Sequence, residues 1–283
     1  MTSPTATRPG PTTLEAYQRD GLVVQRALLD PGTYIEPMQT QIRVVIDLAR
    51  AEAGLGPTTG DAFDAGLAEL LDRDRGRAGK VYDAVRKLPA FFNIVNAPPI
   101  WSLVKTLLDT ELPGWFAAGS GVRMDHPGED RHLSPWHQDY QAHLCSEDMV
   151  VVWIPLVPVD EAAGPVVFCP GSHRDGMLPV YLDDPLNEAR VGARAMEFVG
   201  ASERAAGYEQ RLIDSGPGDV LAFHGLVLHR SSPNRSTRTR WSMQLRYFNF
   251  LDPAARRRGW VGGVNAGVDL SDIHPELIRK RPS

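Results

Sequence analysis

The chain has 283 residues and a formal net charge of −5, and it contains no long basic run, so the electrostatic footprint of a nucleic-acid-binding protein is missing. Its longest apolar run, residues 149–159, is too short to cross a membrane and is interrupted by two prolines. Its two cysteines are too few for a disulfide framework. We therefore expect a cytoplasmic protein, monomeric or homodimeric, that binds a small molecule.

The front of the chain is predicted to be helical after a short tail. Residues 1–13 lack the apolar stretch of a signal peptide and are expected to be flexible. Residues 33–53 carry apolar side chains at spacings of three and four, as an amphipathic helix does, and a second helix is predicted to start after Pro98-Pro99. Both helices are interpreted as structural supports of a sheet. Residues 14–283 are predicted to form a single catalytic domain.

From about Leu112 onward, short apolar runs alternate with clusters of Gly and Pro, which is typical of antiparallel strands. The predicted fold class is mainly β with flanking α-helices, namely a double-stranded β-helix (a jelly-roll, cupin-like barrel). Residues 178–215 have weak periodicity and are too long for a simple turn, so we predict a lid there. The stretch from Leu178 to Tyr208 is expected to contact the substrate.

Two short motifs carry the predicted chemistry. His137 and Asp139 lie two positions apart, so in a strand both face the same side and can bind one metal ion. His229 follows the apolar run 223–228 and supplies a second imidazole. Two His and one carboxylate on one face of Fe(II) leave positions open for substrate and dioxygen.

Arg240 follows His229 by eleven positions and begins a run of alternating polar and apolar residues. This pattern predicts a strand with Arg240, Ser242, Gln244 and Arg246 on one side. An arginine in such a place can grip a carboxylate through two parallel hydrogen bonds. An acidic co-substrate beside the metal is therefore expected.

At several separated points, over roughly residues 14 to 250, the chain resembles the phytanoyl-CoA dioxygenase family of Fe(II)/2-oxoglutarate oxygenases. The matching segments occur in the family's order and with about its spacing: His137-Gln138-Asp139, Trp153-Ile154-Pro155-Leu156, Pro170-Gly171-Ser172-His173, Gly218-Asp219-Val220-Leu221, His229-Arg230-Ser231 and Arg240. The resemblance implies an enzyme that uses Fe(II), 2-oxoglutarate and O2 to hydroxylate or otherwise oxidise a small molecule.

The resemblance also implies roles for individual residues. His137, Asp139 and His229 would hold Fe(II), and Arg240 would pair with the distal carboxylate of 2-oxoglutarate. Further candidates for contact with this co-substrate are Ser231, Trp153, Ser242 and Gln138, although strand geometry points Gln138 away from the metal. Halogenating relatives have a small residue in place of Asp139, so its presence favours hydroxylation or another oxidation over halogenation.

Substrate contacts are predicted less narrowly. Arg123 stands where many relatives have Gln or Lys, and it either replaces a co-substrate contact or binds an anionic substrate. Tyr140 and His143 directly follow the first metal motif and are candidate substrate contacts. The chain has 26 Arg against four Lys, with many Ala, Pro and Gly, which is typical of a GC-rich bacterial genome. We therefore expect a role in bacterial specialised metabolism.

Two other functions are compatible with the same triad. One is a cupin-like metal-binding protein without turnover, and the other is a metal-dependent isomerase or hydrolase that uses Zn(II). Arg240 favours the oxygenase, because a non-oxidative metal enzyme has no need of a fixed carboxylate clamp after its last ligand.

Overall fold

The computed structural model describes residues 12–58, 60–182, 196–262 and 268–281. Six helices occupy the front of the chain and shorter ones are placed between the strands or after them. The α-helices are α1 (Thr13–Asp20), α2 (Glu36–Glu52), α3 (Leu67–Arg73), α4 (Arg75–Val85), α5 (Pro89–Val95), α6 (Pro98–Leu107), α7 (Tyr140–His143), α8 (Ala201–Ala206), α9 (Pro253–Arg257) and α10 (Leu270–Ile273).

One short strand, β1, lies near the N-terminal end, and the other described strands come after α6. They are β1 (Leu22–Gln25), β2 (Pro113–Trp115), β3 (Gly121–Asp125), β4 (Met149–Pro155), β5 (Val167–Phe168), β6 (Val180–Tyr181), β7 (Glu197–Phe198), β8 (Arg211–Leu212), β9 (Val220–His224), β10 (His229–Arg230) and β11 (Arg240–Asn249). A six-stranded sheet has the order β1-β9-β4-β11-β2, with β3 also paired to β11. A three-stranded sheet has the order β10-β5-β8, and β6 pairs with β7.

The six-stranded sheet has two differently covered faces, because successive side chains of a strand point to opposite sides. On β11, Trp241, Met243, Leu245 and Tyr247 belong to a core shared with helices α2 to α6. The alternate residues of β11 face the other way, toward the three-stranded sheet. Phe223 of β9 touches Phe168 of β5 with ring centroids 5.0 Å apart, so the two sheets pack face to face.

Both predicted helices are confirmed, as α2, which is slightly shorter than predicted, and as α6, which includes the two prolines it was expected to follow. Helix α2 buries Met38, Ile42 and Ile46 on one face. Helix α6 begins at two prolines, which suit a first helical turn because the amide hydrogens there have no partner within the helix and proline has none. The strand from Arg240 is also confirmed, with every ladder between named strands antiparallel.

The predicted antiparallel sheets with flanking α-helices are present in the described part of the chain, where helices contain more residues than strands. The reason is the front of the chain, which forms a helical layer over one whole face of the large sheet. No strand ladder joins the six-stranded and three-stranded sheets into a closed barrel within the described ranges. Among those same residues, no helix is long and apolar enough to cross a membrane.

Candidate active site

His137, Asp139 and His229 come together at the rim of the three-stranded sheet. The backbone of His137 pairs with that of His229 through two reciprocal hydrogen bonds of 2.9 and 3.1 Å. The amide of Asp139 donates to the carbonyl of Gly225 at 2.8 Å. Backbone pairing therefore brings together two motifs that are far apart in the sequence.

The predicted strand through His137 and Asp139 is wrong in detail. His137 makes only an isolated bridge, and Asp139 has helical dihedral angles (φ −80°, ψ −32°) at the start of α7. The apolar run before His229 is not one strand either. Strand β9 ends at His224, and the chain then crosses from the six-stranded sheet to the three-stranded sheet, where β10 begins at His229. The bend at Gly225 brings its backbone against the side chain of Met149, where a Cβ atom would lie 2.5 Å from Cγ.

The three side chains are arranged as metal ligands. The Nε2 atoms of His137 and His229 lie 3.5 and 3.9 Å from Oδ1 of Asp139. Two donors that are each about 2.1 Å from one ion can be at most about 4.2 Å apart, and both of these histidine–carboxylate distances are below that limit. All three ligand atoms lie within 4.8 Å of one another, and all three residues are buried. The arrangement fits one metal ion.

The hydrogen bonds of His137 and His229 use Nδ1 and leave Nε2 free to bind a metal ion. Nδ1 of His137 lies 2.8 Å from the carbonyl of Pro135, and Nδ1 of His229 lies 2.9 Å from that of Val227. A carbonyl can only accept, so each Nδ1 carries the proton and each Nε2 keeps its lone pair. Burial, followed by the neighbouring His137, lowers the pKa of His229 to about 3, so this imidazole is neutral near pH 7.

Arg246 holds the other oxygen of Asp139. Its Nη2 and Nε lie 2.9 and 3.2 Å from Oδ2, while another nitrogen donates to the carbonyl of Gly119. Burial alone would raise the pKa of Asp139, but Arg246 and His137 outweigh that effect and hold the pKa well below its usual range. The carboxylate is therefore ionised, with Oδ1 directed at the two histidines.

A second buried carboxylate, Asp125 of β3, lies between two arginines. Oδ1 of Asp125 accepts from Arg123 at 2.6 Å, and Oδ2 accepts from Arg240 at 3.0 Å. Burial opposes ionisation here too, but the two guanidinium groups hold the pKa of Asp125 well below its usual range. This cluster carries two positive charges and one negative charge.

Two buried polar atoms next to this cluster have no hydrogen-bond partner among the described residues. They are Nη1 of Arg240 and Oγ of Ser242, which lie on the same side of β11. An unpaired buried donor is costly, so such an atom calls for an explanation. A carboxylate is the kind of acceptor that such donors lack, and its charge would balance that of the cluster.

A cavity of about 650 Å³ lies between the two sheets and opens beside α4. The predicted residues that line it are His137, Asp139, His229, Trp153, Ser231, Arg123 and His143. Burial, followed by nearby Arg246, lowers the pKa of His143 to about 4, and its Nδ1 donates to the carbonyl of Asp139 at 2.6 Å. His143 therefore faces the cavity as a neutral ring next to the metal ligands.

Four predicted residues do not line the cavity. Arg240 and Ser242 lie behind it, where they pair across the ladder with Asp125 and Arg123, which do line it. Gln138 is not placed as a co-substrate ligand. Its amide nitrogen donates to the carbonyls of Gly176 and Leu226, and its amide oxygen accepts from Gln141 and from the amide of Leu178. Gln138 thus anchors the metal segment to a neighbouring loop.

Tyr140 is also not placed as a substrate contact. Its side chain is fully buried in the core on the far side of α7, and its hydroxyl lies 2.8 Å from Nε2 of His274. The helical turn that begins at Asp139 rotates this ring away from the cavity. The sequence was equally compatible with Tyr140 as a packing residue, and the structure gives it that role.

The predicted lid is only partly described. Residues 183–195 lie outside the described residues. The rest of 178–215 contains β6, β7, α8 and β8, and none of these described residues lines the cavity. Phe198 comes near the site, with its ring centroid 6.4 Å from that of His137.

Sequence reasoning missed three features of the site. It placed Arg246 on one side of the last strand without a role at the metal site, it gave Asp125 no role, and it treated the helical layer as purely structural. In fact α4 lines the cavity with Arg75, Gly79, Tyr82 and Asp83. A signal for α4 was present, because its buried residues Ala78, Val81 and Val85 have helical spacing.

A family model for phytanoyl-CoA dioxygenase matches residues 17–242, most of the chain, and this range includes every residue of the metal site and of the arginine–carboxylate cluster. The chain belongs to the phytanoyl-CoA dioxygenase family. It is therefore a 2-oxoglutarate-dependent non-haem iron oxygenase, with Fe(II) as cofactor and 2-oxoglutarate and O2 as co-substrates.

Two curated relatives in Streptomyces are each named 1-deoxypentalenic acid 11-beta-hydroxylase. The one from Streptomyces arenae is 27% identical over 249 residues, and the one from Streptomyces exfoliatus is 28% identical over 251 residues. Each match covers 86% of this chain and 81% of the relative.

Solved structures share the fold at low sequence identity. The carbocyclase SnoK from nogalamycin biosynthesis, described as non-haem and alpha ketoglutarate dependent, aligns with a TM-score of 0.54 at 17% identity and covers 85% of this chain and 87% of its own. EvdO2 from Micromonospora carbonacea, complexed with 2-oxoglutarate, aligns with a TM-score of 0.54 at 14% identity, covering 87% and 93%.

Proposed function

We propose that the protein hydroxylates a small organic acid of bacterial specialised metabolism, with Fe(II) on His137, Asp139 and His229 and with 2-oxoglutarate anchored by Arg240 and Ser242. The observation that carries this proposal is the pairing of two complementary sites on one side of β11. One offers three free ligand atoms to a cation, and the other offers unpaired buried donors to an anion.

The metal half of the site is supported by the tautomers and the charge described above. Bound Fe(II) supplies activation of dioxygen, coupled to oxidative decarboxylation of 2-oxoglutarate to succinate and carbon dioxide. The carbonyls of Pro135 and Val227 engage Nδ1 of the two imidazoles, so that each Nε2 would be directed at the ion. Arg246 occupies Oδ2 of Asp139 and so favours binding through Oδ1 alone, which leaves room on the ion for the co-substrates.

The co-substrate half rests on Arg240. This guanidinium is almost completely buried and is fixed by Asp125 through Nε and Nη2, so that Nη1 remains as a donor with a set direction. Ser242, two residues along the strand, adds a hydroxyl on the same side. The distal carboxylate of 2-oxoglutarate would be bound there by two side chains that are already fixed. Little side-chain entropy would therefore be lost on binding.

The acidic substrate is supported by the relatives' names and by the charge of the cavity. Five arginines and three aspartates line it. Four of the arginines have carboxylate partners. Arg230 instead stacks over the ring of Trp136, with the guanidinium carbon 5.1 Å from the ring centroid. We assign Arg230 as the contact for the anionic end of the substrate, while Arg123 is already engaged by Asp125.

Asp139 supports oxygenation over halogenation. Its carboxylate fills the position that halogenating relatives leave to chloride. Turnover in high chloride is expected to give succinate and an oxidised product without chlorine. Mass spectrometry that detects a chlorinated product would remove this part of the proposal.

The test of the function is incubation with Fe(II), 2-oxoglutarate, O2 and 1-deoxypentalenic acid. Succinate should form in step with a product 16 mass units heavier than the acid, as insertion of one oxygen atom requires. Reactions without 2-oxoglutarate, and reactions of Arg230→Ala with the same acid, are the controls. Product formation that does not require 2-oxoglutarate would contradict the proposed mechanism, and an unreactive acid would contradict the proposed substrate.

We also propose that the two facing sheets form a double-stranded β-helix. Support comes from their antiparallel strands, from their packing through Phe168 and Phe223, and from the position of the metal ligands between them. An experimental structure at high resolution tests this proposal by showing whether strand pairing continues around both sheet edges.

A further inference from the structure

The cavity has one wall that is built from a helix. Helix α4 contributes Arg75, Gly79, Tyr82 and Asp83, which lie on one helical face because they are spaced by four, three and one. The adjacent face of α4, with Ala78, Val81 and Val85, is buried in the helical core. This helix therefore separates the hydrophobic core from the space in front of the metal site.

Gly79 leaves open space in that wall. A Cβ atom built on Gly79 would meet nothing within 4 Å. Gly119, across the cavity, is different, because a Cβ atom there would collide with the ring of His143 and would lie 2.8 Å from Cδ of Arg246. The fold thus requires glycine at position 119, whereas neither packing nor a left-handed backbone requires it at position 79.

Glycine is also a poor residue for the interior of a helix, since it has the largest conformational freedom to lose. Gly79 lies in the middle of α4 and so weakens the helix without helping it to pack. The effect it does have is on the cavity, whose clearance it increases next to Tyr82.

The charges on this wall are largely neutralised by one another. Arg75 pairs with Glu129 at 3.0 Å, and Arg86, just beyond the helix, pairs with Asp83 at 3.6 Å. Between these pairs the wall offers the gap at Gly79 and the ring of Tyr82. A bulky, mainly apolar framework fits such a surface better than an extended polar chain does.

We propose that α4 is the substrate-binding wall and that Gly79 determines how bulky a substrate the oxygenase accepts. This inference rests on the proposed hydroxylation of an organic acid and adds that the acid has a bulky, ring-containing framework. Gly79 is a specificity-determining residue, and it takes no part in binding Fe(II) or 2-oxoglutarate.

The experiment compares the wild type with Gly79→Ala, Gly79→Phe and the control Lys80→Phe, in which the same ring is placed on the neighbouring exposed position outside the cavity. The probes are cyclohexanecarboxylic acid, adamantane-1-carboxylic acid and 1-deoxypentalenic acid. Coupled product and succinate are measured for each acid, together with the 2-oxoglutarate concentration that gives half-maximal turnover.

In Gly79→Phe, coupled turnover of the bulkiest acid accepted by the wild type should fall at least tenfold, while the 2-oxoglutarate requirement stays within twofold. Lys80→Phe should behave as the wild type does. An unchanged ranking of acids by size in Gly79→Phe would overturn the inference, and so would an equal loss in Lys80→Phe.

Heat stability provides a second measurement that needs no substrate. Gly79→Ala should raise Tm by about 2–4 °C, because alanine favours the helix and the added methyl group meets open space. Gly79→Phe should not lower Tm. If the wild type turns over none of the acids, the proposed substrate class is wrong. The stability measurement then tests the space beside Gly79 by itself, and a Tm loss of several degrees in Gly79→Phe would show that the position is not open.

Discussion

Two buried aspartates pair with opposite ends of the same face of β11, and their surroundings are unlike. Asp125 lies between Arg123 and Arg240, so its cluster has one excess positive charge and donors without partners. Asp139 pairs with one arginine and faces the Nε2 atoms of two histidines whose Nδ1 atoms are held by backbone carbonyls, so its cluster offers ligand atoms to a cation. A buried carboxylate can therefore prepare a site for an anion or for a cation, depending on what surrounds it.

The largest effect is expected when the cation site loses its charge. Asp139→Ala removes the one anionic ligand and leaves Arg246 without its carboxylate partner, so iron binding should be greatly weakened and succinate formation should fall to background. Metal analysis and succinate assays check this. Asp130→Ala, a surface carboxylate paired with Arg235, is the control. Full retention of iron and activity in Asp139→Ala would remove the triad assignment.

The next effect concerns the arginine that supports the same carboxylate. Arg246→Met should weaken iron affinity by about 10- to 100-fold, as is typical when a partner of a metal ligand is lost. The affinity for 2-oxoglutarate, measured at saturating iron, should change much less. Titration with Fe(II) under anaerobic conditions gives the comparison, and Arg256→Met is an exposed control. An iron affinity equal to that of the wild type would show that Arg246 only fills space.

The anion site should respond in the opposite way. Arg240→Ala should raise the 2-oxoglutarate requirement by about 10- to 150-fold, because a hydrogen bond to a charged group contributes about 1.5–3 kcal/mol. Iron binding should stay nearly intact. Arg235→Ala, on the surface, serves as the control. If titration finds the 2-oxoglutarate affinity unchanged, the clamp belongs to another arginine, with Arg123 and Arg230 as the cavity-lining choices.

The smallest effect is expected at Ser242. Ser242→Ala removes one neutral donor from the same site, so the 2-oxoglutarate requirement should rise by about 2- to 12-fold, as a net hydrogen-bond contribution of about 0.5–1.5 kcal/mol implies. Ser242→Thr keeps the hydroxyl and should recover part of the loss. Steady-state kinetics with 2-oxoglutarate as the varied substrate measures both variants. A lower requirement in Ser242→Ala would mean that this hydroxyl hinders the co-substrate.

The sequence was most informative where a residue type, its spacing and a family pattern agreed. The strand that starts at Arg240 and helices α2 and α6 could be predicted, since local periodicity defines them, and the three residues proposed as metal ligands do lie close together. The partner of Arg240 could not, because β3 meets β11 through register, and nothing in the sequence near Asp125 specifies which residue it faces. The role of Arg246 was hidden for the same reason.

Gly79 and Tyr140 show the limit of local patterns more sharply. Periodicity predicts that α4 has a buried face. Whether its remaining residues face solvent or the cavity depends on the tertiary packing, which periodicity does not predict. Tyr140 was a candidate substrate contact because it directly follows the metal motif, but it begins α7 and its ring is buried in the core. Closeness to a motif in the sequence did not predict closeness to the cavity.

The reciprocal bridge between His137 and His229, together with the amide of Asp139 on Gly225, has a consequence for how the metal is acquired. Because main-chain bonds set the ligand positions, the empty site should already have the geometry of the filled one, and loading should need no refolding. Amide hydrogen exchange at His137, Asp139 and His229 should then be slow before iron is added and nearly as slow afterwards. Such a protein can lose its iron and take it up again while its backbone stays in place.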